Sequence, residues 1–275
     1  MTTVVVLGAG GFIGRSLVAR LRAEGRPVLA VTRADLPDFL RTPPPACDIV
    51  YCIGLTADFR TRRLEAAEAH AGLVARVLAL EEIRSFLYLS STRVYGRNEA
   101  TREDAPLVVQ PSAPGDLYNL SKLAGEALCL SDPRPTVRVA RLSNVFGPGM
   151  GTTNFLGQVL AEGAASGAVT LWQSMHSAKD YIAVEDVLTA LLAIAERGAT
   201  RLYNVASGAN ITHDAIARVL SRELGWQFTA HGDTAAVRYP RIDISRLAVE
   251  FAAPRNTLIA DLPRLARSFA QEFAC

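Results

Sequence analysis

The sequence predicts an α/β fold: a doubly wound parallel sheet followed by a smaller C-terminal part. Three observations carry this. Short continuous apolar runs recur along the first two-thirds of the chain. Amphipathic helical patterns separate them. A glycine-rich turn follows the first run directly. Strands buried on both faces and separated by helices form parallel sheets, and a tight turn from strand to helix is how such sheets begin.

The first element is the apolar run Val4–Leu7, stopped by Gly8. Ile13, Leu17 and Leu21 then recur every four residues, with Val18 beside them, until Gly25 ends the pattern. That is a buried strand, a turn and an amphipathic helix with a glycine stop. Val28–Val31 reads as a second strand and Asp48–Ile53 as a third. Only Ala34–Cys47 lies between those two, too little for a full helix plus another strand. The outermost strand on this side of the sheet is therefore expected to be missing or vestigial. Phe86–Leu89 and Val137–Leu142 read as further strands, with a helix over about Tyr118–Leu130 before the latter.

After Gly147-Pro148-Gly149 the chain turns rich in Gly, Ala, Ser and Thr up to about Ser177. Tyr181–Val184 and Leu202–Val205 read as strands around a helix at Asp186–Arg197. From Asn210 onward short helices alternate with loops. The expected division is residues 1–150 plus a returning segment at about 180–205 as one domain. Residues 151–179 and 206–275 form a smaller cap. Pro43-Pro44-Pro45 is the one low-complexity piece, a stiff connector.

With 275 residues, 49% of them hydrophobic and 20% charged, the chain has ample material for a core. Twenty-nine basic against 27 acidic residues leave a net charge of +2, with no basic cluster to suggest nucleic-acid binding. Cys47, Cys52, Cys129 and Cys275 fit neither a zinc spacing nor a disulfide framework. No metal site is expected. The N-terminal apolar run is a strand rather than a signal peptide. No apolar run nears the roughly 20 residues a membrane helix needs. The expectation is a reducing cytoplasm and no membrane.

Gly8, Gly11 and Gly14 fall between a strand and a helix. Such glycines serve a tight turn, a close backbone approach to a pyrophosphate and close helix–strand packing. The helix N-terminus adds free N–H groups. A glycine turn without a ligand is the plainer alternative. The second strand ends at Thr32-Arg33 with no carboxylate. An acidic residue there would take both ribose hydroxyls and favour NAD. Arg33 instead suits a 2′-phosphate, with Arg15 as a possible helper, so the sequence points to NADP. Asp35 keeps NAD open, and Arg33 as one more surface arginine is the alternative.

Tyr118 and Lys122 stand four apart on one helix face. A phenol of pKa about 10 is a poor base near neutrality. A nearby ammonium stabilises the phenolate and makes it usable for proton transfer. Tyr and Lys also meet at this spacing by chance. The strand Phe86–Leu89 runs into Ser90-Ser91-Thr92-Arg93-Val94-Tyr95-Gly96, and ligands bind at the carboxyl ends of strands in such sheets.

The chain here resembles the extended short-chain dehydrogenases/reductases, a group of nucleotide-sugar epimerases, dehydratases and 4-keto reductases. The resemblance rests on Gly8-x-x-Gly11-x-x-Gly14, Ser90-Ser91-x-x-Val94-Tyr95-Gly96 and Tyr118-x-x-x-Lys122. It continues through Arg141–Pro148, Lys179-Asp180-Tyr181-Ile182-x-Val184-Glu185-Asp186-Val187 and Tyr203–Gly208. It spans about Val4 to Gly208. It implies a Rossmann domain with a smaller C-terminal α/β substrate-binding domain. It implies Ser91 as the catalytic hydroxyl, Tyr118 as acid/base and Lys122 on the nicotinamide ribose. Cofactor contacts are expected at Gly8, Gly11, Phe12, Ile13, Gly14, Thr32, Arg33, Ile53, Gly54 and Ser90, besides Tyr118 and Lys122. Substrate contacts are expected at Thr92, Asn144, Trp172 and Lys179, and Asp186 is expected to cap the next helix. A homodimer is the family expectation.

Departures narrow the chemistry. The family's 4,6-dehydratases carry an Asp-Glu pair where Thr92-Arg93 stand, so elimination of water is not expected. His70 takes the place of a helix asparagine, either altering a proton relay or lying buried and hydrogen-bonded. His231-Gly232-Asp233 replaces an Arg-Pro-Gly-Asp phosphate clamp, for which Arg238 or Arg241 are possible substitutes. His176 and His213 read as surface or capping residues, Trp226 as packing, and Trp172 as either stacking on substrate or core. The implied function is NADPH-dependent reduction of a keto group of a nucleotide-activated sugar. The alternatives are a 4-epimerase with bound NAD, a reductase of a non-nucleotide carbonyl compound, and a non-catalytic NADP sensor.

Overall fold

The computed structural model describes residues 2–55, 58–113, 115–230, 235–237 and 239–273. The chain runs β1 (Val4–Leu7), α1 (Phe12–Ala23), β2 (Val28–Val31), α2 (Leu36–Arg41) and β3 (Cys47–Tyr51). A helical stretch follows as α3 (Arg63–Ala67), a π-helical turn (Glu68–Gly72) and α4 (Leu73–Leu78). Then come β4 (Ile83–Ser91), α5 (Asp116–Ser131), β5 (Val137–Leu142), β6 (Asn144–Phe146), α6 (Phe155–Ser166) and β7 (Ala168–Leu171). The chain ends with β8 (Ala178–Ala183), α7 (Val184–Arg197), β9 (Leu202–Val205), β10 (Asn210–Thr212), α8 (His213–Leu224), β11 (Gln227–Ala230), α9 (Ser245–Glu250) and α10 (Leu258–Phe273).

The main sheet has the order β2-β1-β3-β4-β5-β9, with every pair parallel. Its strands read as continuous apolar runs because helices cover both faces: β1 and β5 are buried at every residue. One side packs α1 and α7 through Leu17, Leu21, Val187 and Leu191. The other packs α4 and α5 through Val74, Val77 and Cys129. β2 is the edge strand, and the short helix α2 fills the link to β3, so among the described residues no strand lies beyond β2. The chain leaves β1 toward β2 on one side and returns to β3 on the other. That reversal opens a crevice at the carboxyl ends of β1 and β3, the position where such sheets bind ligands.

β9 joins the large sheet beside β5, but β8 does not, contrary to the sequence expectation. It pairs with β6 and β10 in a separate three-stranded sheet. Its alternating side chains explain this. Ile182 faces the core of α1 and α7, whereas Tyr181 and Ala183 face a second core made by α6, α8 and α10. That second core takes Trp226, whose ring lies on Gly163; a Cβ there would come within 2.2 Å of it. Asp186 does not cap α7, whose first residue is Val184. Its carboxylate accepts from the backbone N–H groups of Arg255 (3.2 Å) and Asn256 (2.9 Å) and so ties the segment before α10 to the large domain.

Candidate active site

The glycine loop is built for a close approach. Gly8 has φ +86°, and a Cβ there would lie 3.0 Å from the Cys52 carbonyl carbon and the Ile53 nitrogen. Its N–H and that of Ala9 both donate to the Val31 carbonyl, and Gly11 N–H closes the turn onto Gly8 O at 3.0 Å. At Gly14 a Cβ would fall 2.2 Å from Gly8 O, so helix and turn pack only with glycine. A Cβ at Gly10 meets nothing within 4 Å, which marks open space beside the loop. α1 starts without a side-chain cap and without an acidic residue in its first turn. Its free N–H groups and positive end face that space, which fits a pyrophosphate.

Phe12 and Ile13 pack into the core beneath the loop. The Arg15 guanidinium bridges the carbonyls of Gly10 and Gly149, both at 3.2 Å. It braces the loop rather than reaching for a ribose phosphate. At the end of β2, the Asp35 carboxylate accepts from Thr32 N–H (2.9 Å) and Thr32 Oγ1–H (2.6 Å). Those bonds hold it below the usual carboxylate range and occupy it within its own turn. Arg33 is exposed and forms no ion pair among the described residues.

Across the crevice, α5 presents Tyr118 and Lys122 on successive turns, only 4% exposed each. The Lys122 ammonium donates to the Leu89 carbonyl at 2.8 Å and lies 5.1 Å from the Tyr88 ring centre. Burial pushes it down to about 7, against the opposing pull of Glu126 and Cys52. A Cβ on Gly54 would lie 3.2 Å from its Nζ, so glycine there leaves the ammonium open to a ribose. Ile53 packs against the core beside it. The loop, Gly54 and Lys122 together fit a nicotinamide dinucleotide.

The Ser91 hydroxyl at the end of β4 acts on the Tyr118 phenol and favours its phenolate. The Arg93 N–H donates to Ser91 Oγ at 3.2 Å, so the serine's own proton is not used in that bond. Burial raises the phenol above its ordinary value, opposed by Ser91 and by the charge of Arg93. The ammonium of Lys122, the cation expected from the sequence to favour the phenolate, is directed to the Leu89 carbonyl. Phe59 lies 5.3 Å and His70 5.4 Å from the Tyr118 ring.

Beneath the site a polar layer fixes these positions. The π-helical turn frees carbonyls from the helical ladder, and phenols take them: Tyr51 donates to Ala69 O (2.6 Å) and Tyr88 to His70 O (3.0 Å). His70 is fully buried. Its Nε2 accepts from Leu55 N–H at 3.1 Å, so Nδ1 carries the proton and donates to Ser121 Oγ at 2.8 Å. Ser121 in turn donates to Tyr118 O at 2.9 Å. Burial and the neighbouring Lys122 push His70 down to about 3, so it stays neutral. Ser90, expected to meet the cofactor, points its hydroxyl the other way, to Glu126. Adjacent strand residues face opposite sides, so only Ser91 of the pair enters the cleft. Glu126 also receives Arg141 (2.6 Å to Oε2), whose Nη1 donates to Tyr95 at 2.6 Å.

Toward the cap, Asn144 is exposed and donates to Asp180 O at 2.8 Å. Thr92 Oγ1 donates to Leu142 O at 3.4 Å. Trp172 is 67% exposed, so it is not core. The Lys179 ammonium lies 5.0 Å from the Phe155 ring centre. His213 is no surface residue: it is fully buried and stacks on Phe155 with ring centres 3.8 Å apart. Burial and Lys179 push it down to about 4. The cap of α8 is Thr212 instead. Arg241 donates to Gly208 O, within the protein. His231 and Arg238 lie outside the described residues. Sequence reasoning missed Arg93, Phe59 and His213; only Arg93 carried a signal, as the departure from the dehydratase carboxylates.

A model of the NAD dependent epimerase/dehydratase family matches residues 4–206. The chain is 27% identical over 267 residues to the dTDP-4-dehydro-6-deoxy-D-allose reductase of Streptomyces bikiniensis, covering 81% of each protein. It is 28% identical over 260 residues to the dTDP-6-deoxy-L-talose 4-dehydrogenase (NAD(P)(+)) of Kitasatospora kifunensis, covering 81% of this chain and 79% of the relative. The solved structure of RMD from Pseudomonas aeruginosa, complexed with NADPH, has the same fold. Its TM-score is 0.84 at 24% identity, over 99% of this chain and 100% of that one.

Proposed function

This chain belongs to the NAD dependent epimerase/dehydratase family, the extended short-chain dehydrogenases/reductases, and we propose that it reduces the keto group of a nucleotide-activated sugar, with NADPH as the preferred cofactor. The observation that carries the reading is the buried pair Tyr118 and Lys122 on successive turns of α5, with the Lys122 ammonium tied to β4 two residues before Ser91. The names of the similar reductase and dehydrogenase support the substrate class. When bound, the cofactor supplies the hydride. Tyr118 delivers the proton to the carbonyl oxygen, Ser91 donates to the same oxygen, and Lys122 holds the ribose. Gly8, Gly11 and Gly14 shape the pyrophosphate site, and Arg33 receives the 2′-phosphate. Lys179 and Asn144 take the substrate's phosphates, with Thr92 and Trp172 along the sugar and base. Thr92 and Arg93 offer no carboxylate to eliminate water.

The same reading assigns residues 1–150 and about 180–205 to cofactor binding, and 151–179 with 206–275 to the substrate cap. It places the enzyme in the cytoplasm as a homodimer, which light scattering tests. Among the described residues no helix is long and apolar enough to cross a membrane. The deciding experiment is to identify the nucleotide that co-purifies, then to assay NADPH oxidation with dTDP-4-keto-6-deoxyglucose. Stoichiometric NADPH oxidation is the expected result. Firmly bound NAD+ with sugar interconversion and no net oxidation makes the protein an epimerase.

A further inference from the structure

Arg93 has no task in the reading above. Its guanidinium carbon lies 5.2 Å from the Tyr118 ring centre and 5.1 Å from that of Phe59. Its Nη2 rests against the backbone at the start of α5, 3.4 Å from where a Gly115 Cβ would stand. No carboxylate pairs with it among the described residues. Burial, and after it the charge of Arg93, depresses the basicity of Lys179, a cation on the cap side that forms no ion pair among the described residues.

The groups facing Tyr118 can be named element by element. From β4 comes the Ser91 hydroxyl, and from the turn after it Arg93. From the segment after β3 comes Phe59, with Arg60 on its ring at 4.7 Å. From the π-helical turn comes His70, neutral and committed to Ser121. Tyr88 reaches it electrostatically from β4. Lys122 stands one turn along α5, but its ammonium is drawn toward Leu89 O and Gly54. A buried lysine is charged only while its proton stays on; an arginine is charged at every working pH.

We propose that Arg93 is a positioning residue and the permanent cation of the acid–base pair: stacked over Tyr118, it favours the phenolate and so sets the pH window of proton transfer, while its backbone N–H aims the Ser91 hydroxyl at the same oxygen. A unit charge about 5 Å away in a partly buried site is worth on the order of one pH unit or more in the phenol's ionisation. The proposal rests on Tyr118 being the acid.

The test is the pH profile of kcat in both directions, with dTDP-4-keto-6-deoxyglucose and NADPH, for wild type, Arg93→Met, Arg93→Lys and Tyr118→Phe. Reduction needs the phenol protonated, so its rate falls on the alkaline side. Arg93→Met should move that fall upward by about one pH unit, and move the rise of the oxidation rate equally. Arg93→Lys should restore most of the wild-type profile. A uniform loss of kcat in Arg93→Met with unmoved midpoints overturns the proposal and leaves the reductase reading intact. Full turnover in Tyr118→Phe overturns the reading itself. If Arg93→Met does not fold, Arg93→Gln replaces it, and equal midpoints in the Gln and Lys variants are the negative result.

Discussion

The Lys122 ammonium donates to the Leu89 carbonyl at 2.8 Å, two residues before Ser91 on the same strand. This bond ties the helix that carries Tyr118 to the strand end that carries Ser91, and so fixes the gap between the two hydroxyls. Burial of the ammonium also makes stability depend on pH.

A free lysine titrates near 10.4, whereas Lys122 in the folded chain is pushed down to about 7. Between those two values the unfolded state holds one more proton, so stability attributable to this group rises with pH. Wild type should therefore gain melting temperature relative to Lys122→Met as pH goes from 7 to 9 without cofactor. A parallel pair of curves contradicts the buried, depressed lysine.

Tyr118→Phe removes the proton donor and leaves the cofactor cleft unchanged. Turnover should fall by roughly 10²–10⁴-fold, the usual contribution of a positioned acid. NADPH affinity, followed by the cofactor's fluorescence, should change far less than turnover, because the ring itself is kept.

Arg33→Ser should raise the KM for NADPH by about 10–100-fold, the loss of a charge-assisted hydrogen bond. The KM for NADH should barely move. Equal effects on both cofactors mean that Arg33 does not meet the 2′-phosphate.

Arg141→Met leaves the Glu126 carboxylate buried at 3% side-chain exposure, with Ser90 as its remaining hydrogen-bond partner among the described residues. Breaking one side of such a pair costs about 3–5 kcal/mol. Urea unfolding should show that loss. A cost under about 1 kcal/mol is characteristic of exposed pairs and does not fit this burial.

Much of this was legible in the sequence where the cause is local. Gly14 is required by an atom six residues away in the same turn. Tyr118 and Lys122 share a face by helical spacing, and the shortage of chain between β2 and β3 announced that β2 is the sheet edge. The rest depends on contacts between distant segments. Tyr181 and Ala183 point to a core supplied by α6, α8 and α10, so no local pattern shows that β8 leaves the large sheet. His213 is buried because Phe155 arrives to stack on it. Asp186 looks like a cap in sequence, but α7 starts two residues earlier at Val184, and the returning chain at Arg255 and Asn256 takes its carboxylate. Ser90 and Ser91 look alike in sequence; only the strand's facing decides which hydroxyl meets Tyr118.

The central claim is tested most directly by stopped-flow mixing of the NADPH-bound enzyme with dTDP-4-keto-6-deoxyglucose in single turnover. The account predicts loss of the NADPH absorbance, one equivalent per site, with formation of the 4-hydroxy sugar, and near-silence in Tyr118→Phe. Sugar turnover with the NADPH signal intact, or an equally fast signal in Tyr118→Phe, contradicts it.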